Sequence, residues 1–523
     1  PVATGRQVVG DMSAFSVKST GSTTARTLSA RFADVVNVKD FGALGDGTHD
    51  DQPNIQAAID AAAAVRGTVF FPIGAYKVTS TLALPVDTVA PTVALIGSGF
   101  VYQSYNDGGG ALAYGDSGVA PGGSRIVCAH TSDCITAIST SHEGTPGTYR
   151  IENLMLIGPD TLDPETTTSG NGIKIAGTRE PRVIMRNVQV TRFRGASGVR
   201  IENVLDGLLE AVYATDCAYG FYFAAPFNSM TLNKIMAHRN IRGVWVTQGS
   251  VDGVSYPTQG VTMIAPEIQS NRVAGMVMIG TAGWTLISPY FENNNYSHDA
   301  GGAALSLWGA AATANRHMRI IAPRFSLAYD TIRITGEATG YNLNIKFEGG
   351  MTGAGTEANP EQIVLDSYAQ YVTFDNLMHD TAGTANQPLT IADSGSVGTV
   401  VHYQGTVNRN VEQYMSYSLS PGGGGTTQAV DASLAGTFEI AAGSGNPITV
   451  GAPTNAAKGQ VLRFVMKNGS GGAAAFAWHA TYRLADTWTQ PATSKARTIS
   501  FIYDGHNWLE IARSAGDVTY FPY

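Results

Sequence analysis

Charge is scarce in this 523-residue chain: Asp, Glu, Lys and Arg make up 14% of it, and the net charge is −8. Helical bundles need Glu and Lys on their surfaces, so this composition argues against one. No basic run occurs, which excludes nucleic acid and anionic membrane as expected partners. No apolar run reaches the roughly 18 residues of a membrane-spanning helix. No signal peptide precedes Pro1, so the chain is expected to be soluble, and its start at Pro points to a trimmed or partial chain. Cysteine is rare too. Cys128, Cys134 and Cys217 are odd in number and match no zinc spacing. Buried free thiols are expected, with a Cys128–Cys134 bridge as the alternative. GxSxG, a Walker loop and HExxH are all missing, so no cofactor and no metal are expected.

What is present is glycine, 61 residues of it, and alternating short apolar runs. That suits a β-rich fold with many tight turns. The stretch "DFGALGDGTHDDQPNIQAAIDAA" (40–62) reads as a turn and a helix. Asp46-Gly47 marks the turn. Asp50 or Asp51 is placed to cap the helix, and Pro53 fits its first turn. Ile55, Ala58, Ile59 and Ala62 form the buried stripe, and Gly67 ends it. "TVFFP" and "AYKV" follow as strands. The acidic residues lack the spacing of a calcium loop, so capping and turn formation are their expected work.

Residues 35–82, "VVNVKDFGALGDGTHDDQPNIQAAIDAAAAVRGTVFFPIGAYKVTSTL", resemble the start of the pectate-lyase-like superfamily, in the version found in bacteriophage tailspikes and capsule depolymerases. The resemblance implies a right-handed parallel β-helix, an opening helix that caps its N-terminal end, and a homotrimer. It implies residues 1–34 as a neck that joins the phage tail or baseplate, and a place on the virion tail acting at the host cell surface. The acidic "NTD…DD" pattern of polygalacturonases is absent, so the reaction has to be read from geometry.

After residue 145 the chain becomes quasi-periodic. "VIMRNVQVTRF" (183–193), "LLEAVYATDCA" (208–218), "TLNKIMAHRNI" (231–241), "IAPEIQSNRVA" (264–274), "ISPYFENNNYS" (287–297) and "IAPRFSLAYDT" (321–331) align. Each is followed by a second strand such as "GVRIEN" or "GVWVTQ". The segments recur roughly 22–34 residues apart, as turns of a β-solenoid do. Alternation then puts Ile235, Ile268, Phe291 and Phe325 in one inward column. Lys234, Glu267, Tyr290 and Arg324 form one outward column, and Met236, Gln269, Glu292 and Ser326 the next. The turn asparagines 240, 271 and 293–295 read as structural. Inserts at 249–260 and 298–317 are expected to wall a groove.

The predicted architecture is an all-β chain: a neck over 1–34, the β-helix over 35–405, a linker over 406–428, and an antiparallel β-sandwich over 429–523 for trimer closure or carbohydrate binding. Trp478, Trp488 and Trp508 are expected to pack that sandwich, since a small sandwich needs large core residues.

Glycoside hydrolysis needs two carboxyl groups across the bond. Glu267 and Glu292 face outward from adjacent coils and are the expected catalytic pair. Tyr290, Asn294, Arg324, Lys234, His238, Trp308, Asp299 and Glu348 are the expected substrate-binding residues, with Glu348 and Asp299 also reserve acids. Elimination would instead need a base and a cation, from Lys234, His238, Arg239, Tyr290 and Arg324. Three functions follow: hydrolysis of a bacterial capsule or O-antigen, a lyase acting on a uronic acid glycan, or a receptor-binding fibre without catalysis.

Overall fold

The structure is a computed structural model. It describes residues 14–86, 92–100, 123–138, 147–161, 167–177, 182–251, 254–297, 302–309, 314–326, 330–337, 341–352, 362–379, 390–393, 400–405, 416–419, 427–432, 436–442, 447–456, 458–469 and 475–519. The chain forms two compact units. One is Pro1–Val372 with His379–Ser396, the other Thr373–Met378 with Val397–Tyr523.

The first unit is a parallel β-helix. Its opening helix spans Gln52–Ala64 with Pro53 in the first turn. Ile55, Ala58, Ile59 and Ala62 are fully buried, as the apolar stripe requires. The capping is divided between the two acids. Asp50 accepts the Gln52 N–H at 3.2 Å. Asp51 turns back and accepts the N–H groups of Leu44 (2.7 Å) and Gly45 (3.0 Å). Gly45 has φ +67°, a conformation that only glycine adopts cheaply, and the turn there aims both groups at one carboxylate.

Each coil contributes three short strands. One face is an eleven-stranded parallel sheet, from Leu82–Ala83 to Thr390–Asp393. The other two faces meet at single residues in the left-handed region: Asn153, Asn187, Ala211, Lys234, Ala265, Ser288 and Ala322. Strands such as Thr148–Ile157 and Arg182–Thr191 run straight through that bend. Inside, Ala237, Ile268, Phe291 and Phe325 lie over one another in register. The Phe291 and Phe325 rings stack at 4.9 Å and 9°.

Ile235 is not in that column; Ala237 is. The repeat at 231–241 therefore slips by two residues from the sequence alignment. A slip of two keeps every side chain on its own face, so alternation alone cannot detect it. The bend residue is the true marker: Lys234 occupies the place of Ala265, Ser288 and Ala322.

Where the coil turns onto the eleven-stranded sheet, asparagines stack in the interior. Asn240 donates its side-chain amide to Asn271 Oδ1 (3.1 Å), and Asn271 donates its own to Asn294 Oδ1 (2.8 Å). Each also donates to a carbonyl of the preceding strand: Ala214, Ala237 and Ile268. Glycines make the room. A Cβ on Gly243 would lie 2.4 Å from the Gly275 carbonyl and 2.7 Å from Asn271 Nδ2. Gly243→Ala is therefore expected to cost about 1–3 kcal/mol by overpacking. Chemical denaturation checks it, and an unchanged midpoint would mean that the ladder is loosely packed.

The second unit has two sheets. One orders Ser416–Leu419, Thr437–Ala442, Val461–Asn468, Lys495–Tyr503, Trp508–Arg513 and Tyr482–Arg483, with Val518–Thr519 on Lys495–Tyr503. The other orders Thr427–Asp431, Ile448–Thr454 and Phe476–Trp478. Antiparallel pairing, expected throughout, joins Val461–Asn468, Lys495–Tyr503 and Trp508–Arg513. The earlier strands pair in parallel. Single-strand alternation is the same in both kinds of ladder, so it carries no information on direction. Trp508 is buried, while Trp478 and Trp488 pack partly buried on the same core.

Candidate active face

The face that follows the left-handed bend carries strands of three residues. In Glu267–Gln269 and Tyr290–Glu292 the central Ile268 and Phe291 point inward, so their neighbours point out. Glu267 pairs with Tyr290, and Gln269 with Glu292. Glu267 and Glu292 are thus diagonal neighbours. One coil spacing and two residues of rise separate their Cα atoms by about 8 Å. The outward column through Glu267 runs Tyr213, Met236, Glu267, Tyr290, Arg324. The column through Glu292 runs Thr215, His238, Gln269, Glu292, Ser326.

Tyr290 joins the two columns. Its hydroxyl donates to Glu292 Oε2 at 2.8 Å, and the Arg324 guanidinium lies over its ring at 5.7 Å. Glu267 has no neighbouring cation in its column. Burial, and then the charge of Glu292, raise its pKa above the ordinary carboxyl value. Burial and the bond to Glu292 push the Tyr290 phenol up to about 12. Burial and the charge of Glu267 raise that of Tyr213 as well.

The remaining expected residues divide. His238 is buried, in the Glu292 column two coils before it. Lys234 is exposed but sits at the bend with φ +51°, outside both columns. Met236 takes the place that the alignment assigned to it, and Tyr213 was missed for the same two-residue slip. Asn294 does not reach this face. It is buried, and its side chain is spent on Asn271 and the Ile268 carbonyl. Its neighbours Asn293 and Asn295 take the left-handed turn positions, which turns Asn294 inward. Trp308 is 39% exposed but stands on the eleven-stranded sheet. Glu348 ends a strand of the third face and is bound by Arg319 (2.9 Å) and Lys346 (3.3 Å). Those partners, the Arg319 bond first, hold its carboxyl below the ordinary range. Asp299 lies outside the described residues.

The expected walls are only partly loops. Gly249–Val251 and Val254–Tyr256 form a hairpin, whereas Asn315–Ile321 is a strand in register with the next coil. A cleft of about 500 Å³ opens on another corner, where the eleven-stranded sheet turns into the following coil. Ser229, Gly260, Gly283 and His317 line it. Among the described residues no group of three or more His, Cys, Asp or Glu could hold a metal ion.

Residues 35–263 match the family model described as rhamnogalacturonase A/epimerase, pectate lyase-like. A mannuronan C5-epimerase of Azotobacter vinelandii, AlgE3, is 66% identical over 50 residues, which are 9% of this chain and 3% of that protein. The first three such relatives are matched over only 3% to 8% of their own lengths. Among solved structures, the ORF18 protein of Geobacillus virus E2 is 13% identical, with a TM-score of 0.44 over 95% of this chain and 80% of that one. Tailspike protein 2 of the Escherichia coli O157:H7 bacteriophage CAB120 is 15% identical, with a TM-score of 0.44 over 84% of this chain and 45% of that one.

Proposed function

We propose that this chain, whose residues 35–263 match the pectate lyase-like family model, is a phage tailspike depolymerase. It hydrolyses a bacterial surface polysaccharide, capsule or O-antigen, inside the chain. Glu267 is the general acid, and Glu292 is the base or nucleophile. One observation carries the reading: two outward carboxyls on adjacent coils have opposite surroundings. Burial and the charge of Glu292 raise the pKa of Glu267, while the Tyr290 hydroxyl donates to Glu292. Splitting two carboxyls into a proton donor and an acceptor is what glycoside hydrolysis requires. In the step itself, Glu267 protonates the departing glycosidic oxygen as that bond breaks. Glu292 either attacks the anomeric carbon or takes a proton from the attacking water. Arg324, beside the Tyr290 ring, orients the sugar.

Elimination on a uronic acid is the rival. It needs a base for the proton beside the carboxylate. Tyr290, with its pKa pushed up to about 12, keeps its proton near neutrality. Lys234 stands off this face, and Arg239 pairs with Asp216 at 3.1 Å. His238 and Arg324 stay in the two columns, so what favours hydrolysis is the unlike surroundings of the two carboxyls.

Purified protein incubated with capsule polysaccharide tests it. New reducing ends without the ultraviolet absorbance of an unsaturated uronate are expected. Both signals together would mean a lyase, and neither would mean a receptor-binding fibre. The pH profile gives a second check. Activity is expected to persist to a higher pH than an ordinary Glu acid allows, and to fall as Glu267 loses its proton. An alkaline limb at the ordinary Glu value would remove Glu267 from that role.

The same reading extends to the whole chain. Residues 1–34 join the particle on the virion tail, 35–405 carry the active face, 406–428 link, and 429–523 close a homotrimer. Sedimentation at three chain masses is expected, and a monomer at working concentration would overturn the assembly.

A further inference from the structure

The eleven-stranded sheet carries a second outward surface that hydrolysis does not use. Lys174, Arg200, Tyr222 and Trp245 follow one another in register on four coils, one coil spacing apart. Tyr219 and Arg242, also paired in register, flank them. The inward partners on the same strands, Phe221, Phe223, Val244 and Val246, are fully buried, so the column itself faces out. Its members touch. Arg200 lies over the Tyr222 ring at 4.5 Å. Arg242 lies over Tyr219 at 5.5 Å and over Trp245 at 5.6 Å. Tyr219 meets Tyr222 and Trp245 edge-on, at 5.6 and 5.7 Å. Half-buried rings on the outer face of a sheet leave apolar area in water, which marks an interaction surface.

Charge says what covers it. The chain is net −8, yet this surface carries Lys174, Arg200 and Arg242 against the acids Asp133 and Glu202. Glu202 pairs with Arg200, and Asp133 lies 3.9 Å from Lys174, while no acid is paired with Arg242 in the ion pairs of the described residues. At the turn beside this sheet, Arg192, Arg194 and Arg239 surround the buried Asp216. A local positive excess on an acidic protein complements an anionic ligand. Flat rings beside guanidinium groups match a sugar that has an apolar C–H face and a carboxylate.

We propose that Lys174, Arg200, Tyr219, Tyr222, Arg242 and Trp245 form a second binding surface, for an acidic polysaccharide. It lies round the corner from the Glu267–Glu292 face and toward the N-terminus. It holds the glycan by rings and cations without cleaving it. The inference rests on the reading that the ligand is a glycan, but not on cleavage.

The experiment uses the full chain carrying Glu267→Gln and Glu292→Gln, so that turnover is not required. Polygalacturonate is titrated, with neutral dextran as control, by calorimetry and by tryptophan fluorescence. Binding of polygalacturonate that weakens with added salt is expected, with little or none of dextran. Arg242→Gln and Trp245→Ala, added singly, are each expected to weaken it by about tenfold. Trp245→Phe keeps a ring and is expected to restore most of the affinity, which separates binding from folding. No polygalacturonate binding, equal binding of dextran, or binding unmoved by both changes would overturn the proposal. So would a change in oligomer mass on Trp245→Ala, which would make the surface an interface between copies. Failure of cleavage by the unmodified chain, in contrast, would overturn only the hydrolase reading.

Discussion

Glu267→Gln and Glu292→Gln each slow glycan cleavage by about a hundredfold to ten-thousandfold, the usual contribution of a positioned acid or base. Each replacement keeps the shape and the hydrogen-bonding oxygen, so the Tyr290 contact to position 292 survives. The two variants differ in stability. The Glu267 pKa is raised in the folded state. A raised carboxyl stabilises the fold fully below the unfolded pKa and loses that contribution as pH rises through the folded value. Once pH has risen through the folded value, the ionised Glu267 is therefore a burden beside Glu292. Glu267→Gln should raise the unfolding midpoint at alkaline pH and leave it unchanged in acid. Thermal melts at both pH values, with reducing-end assays, check this together. Full activity in both variants would move the chemistry elsewhere.

Asn271→Ala has the largest expected cost in stability, about 2–6 kcal/mol. Asn271 Oδ1 accepts the backbone and side-chain N–H groups of Asn240, and its amide donates to the Ala237 carbonyl. Its removal leaves the Asn240 backbone N–H and the Ala237 carbonyl buried without those partners. Each such group costs about 1–3 kcal/mol. Denaturant unfolding measures the loss. A cost below about 1 kcal/mol would mean that water fills the gap and satisfies both groups. Asn271 lies two residues after the strand of Glu267 in the same coil, so partial loss of activity is expected with it.

Much of the stack was legible. The opening helix, its buried stripe and the two strands after it follow from local patterns that act within a few residues. Ile268 under Phe291 follows from period-two alternation and from landmarks, "IAPE", "ISPY" and "IAPR", that each begin four residues before the inward residue. The segment "LNKIMAH" lacks the proline that marks the bend in the other three. Register there could only be read from the left-handed backbone at Lys234. Asn294 misled for a related reason: three successive asparagines look alike, and only the turn geometry turns the middle one inward.

The sequence by itself determined that this chain stacks strands, because alternation and turn residues act locally and repeat. It also determined which side chains face out in each strand. The tertiary structure decided which outward residues become neighbours. Contacts between coils, such as Cys217 with Asn240 and Thr281 with Asn315, join residues 23 and 34 positions apart, and the left-handed residue at the bend of each coil marks their register. It alone decided that Tyr290 bridges to Glu292, that burial raises the pKa of Glu267, and that two arginines from different coils cover three aromatic rings. Those facts depend on burial and on distance across the stack, which no local pattern encodes.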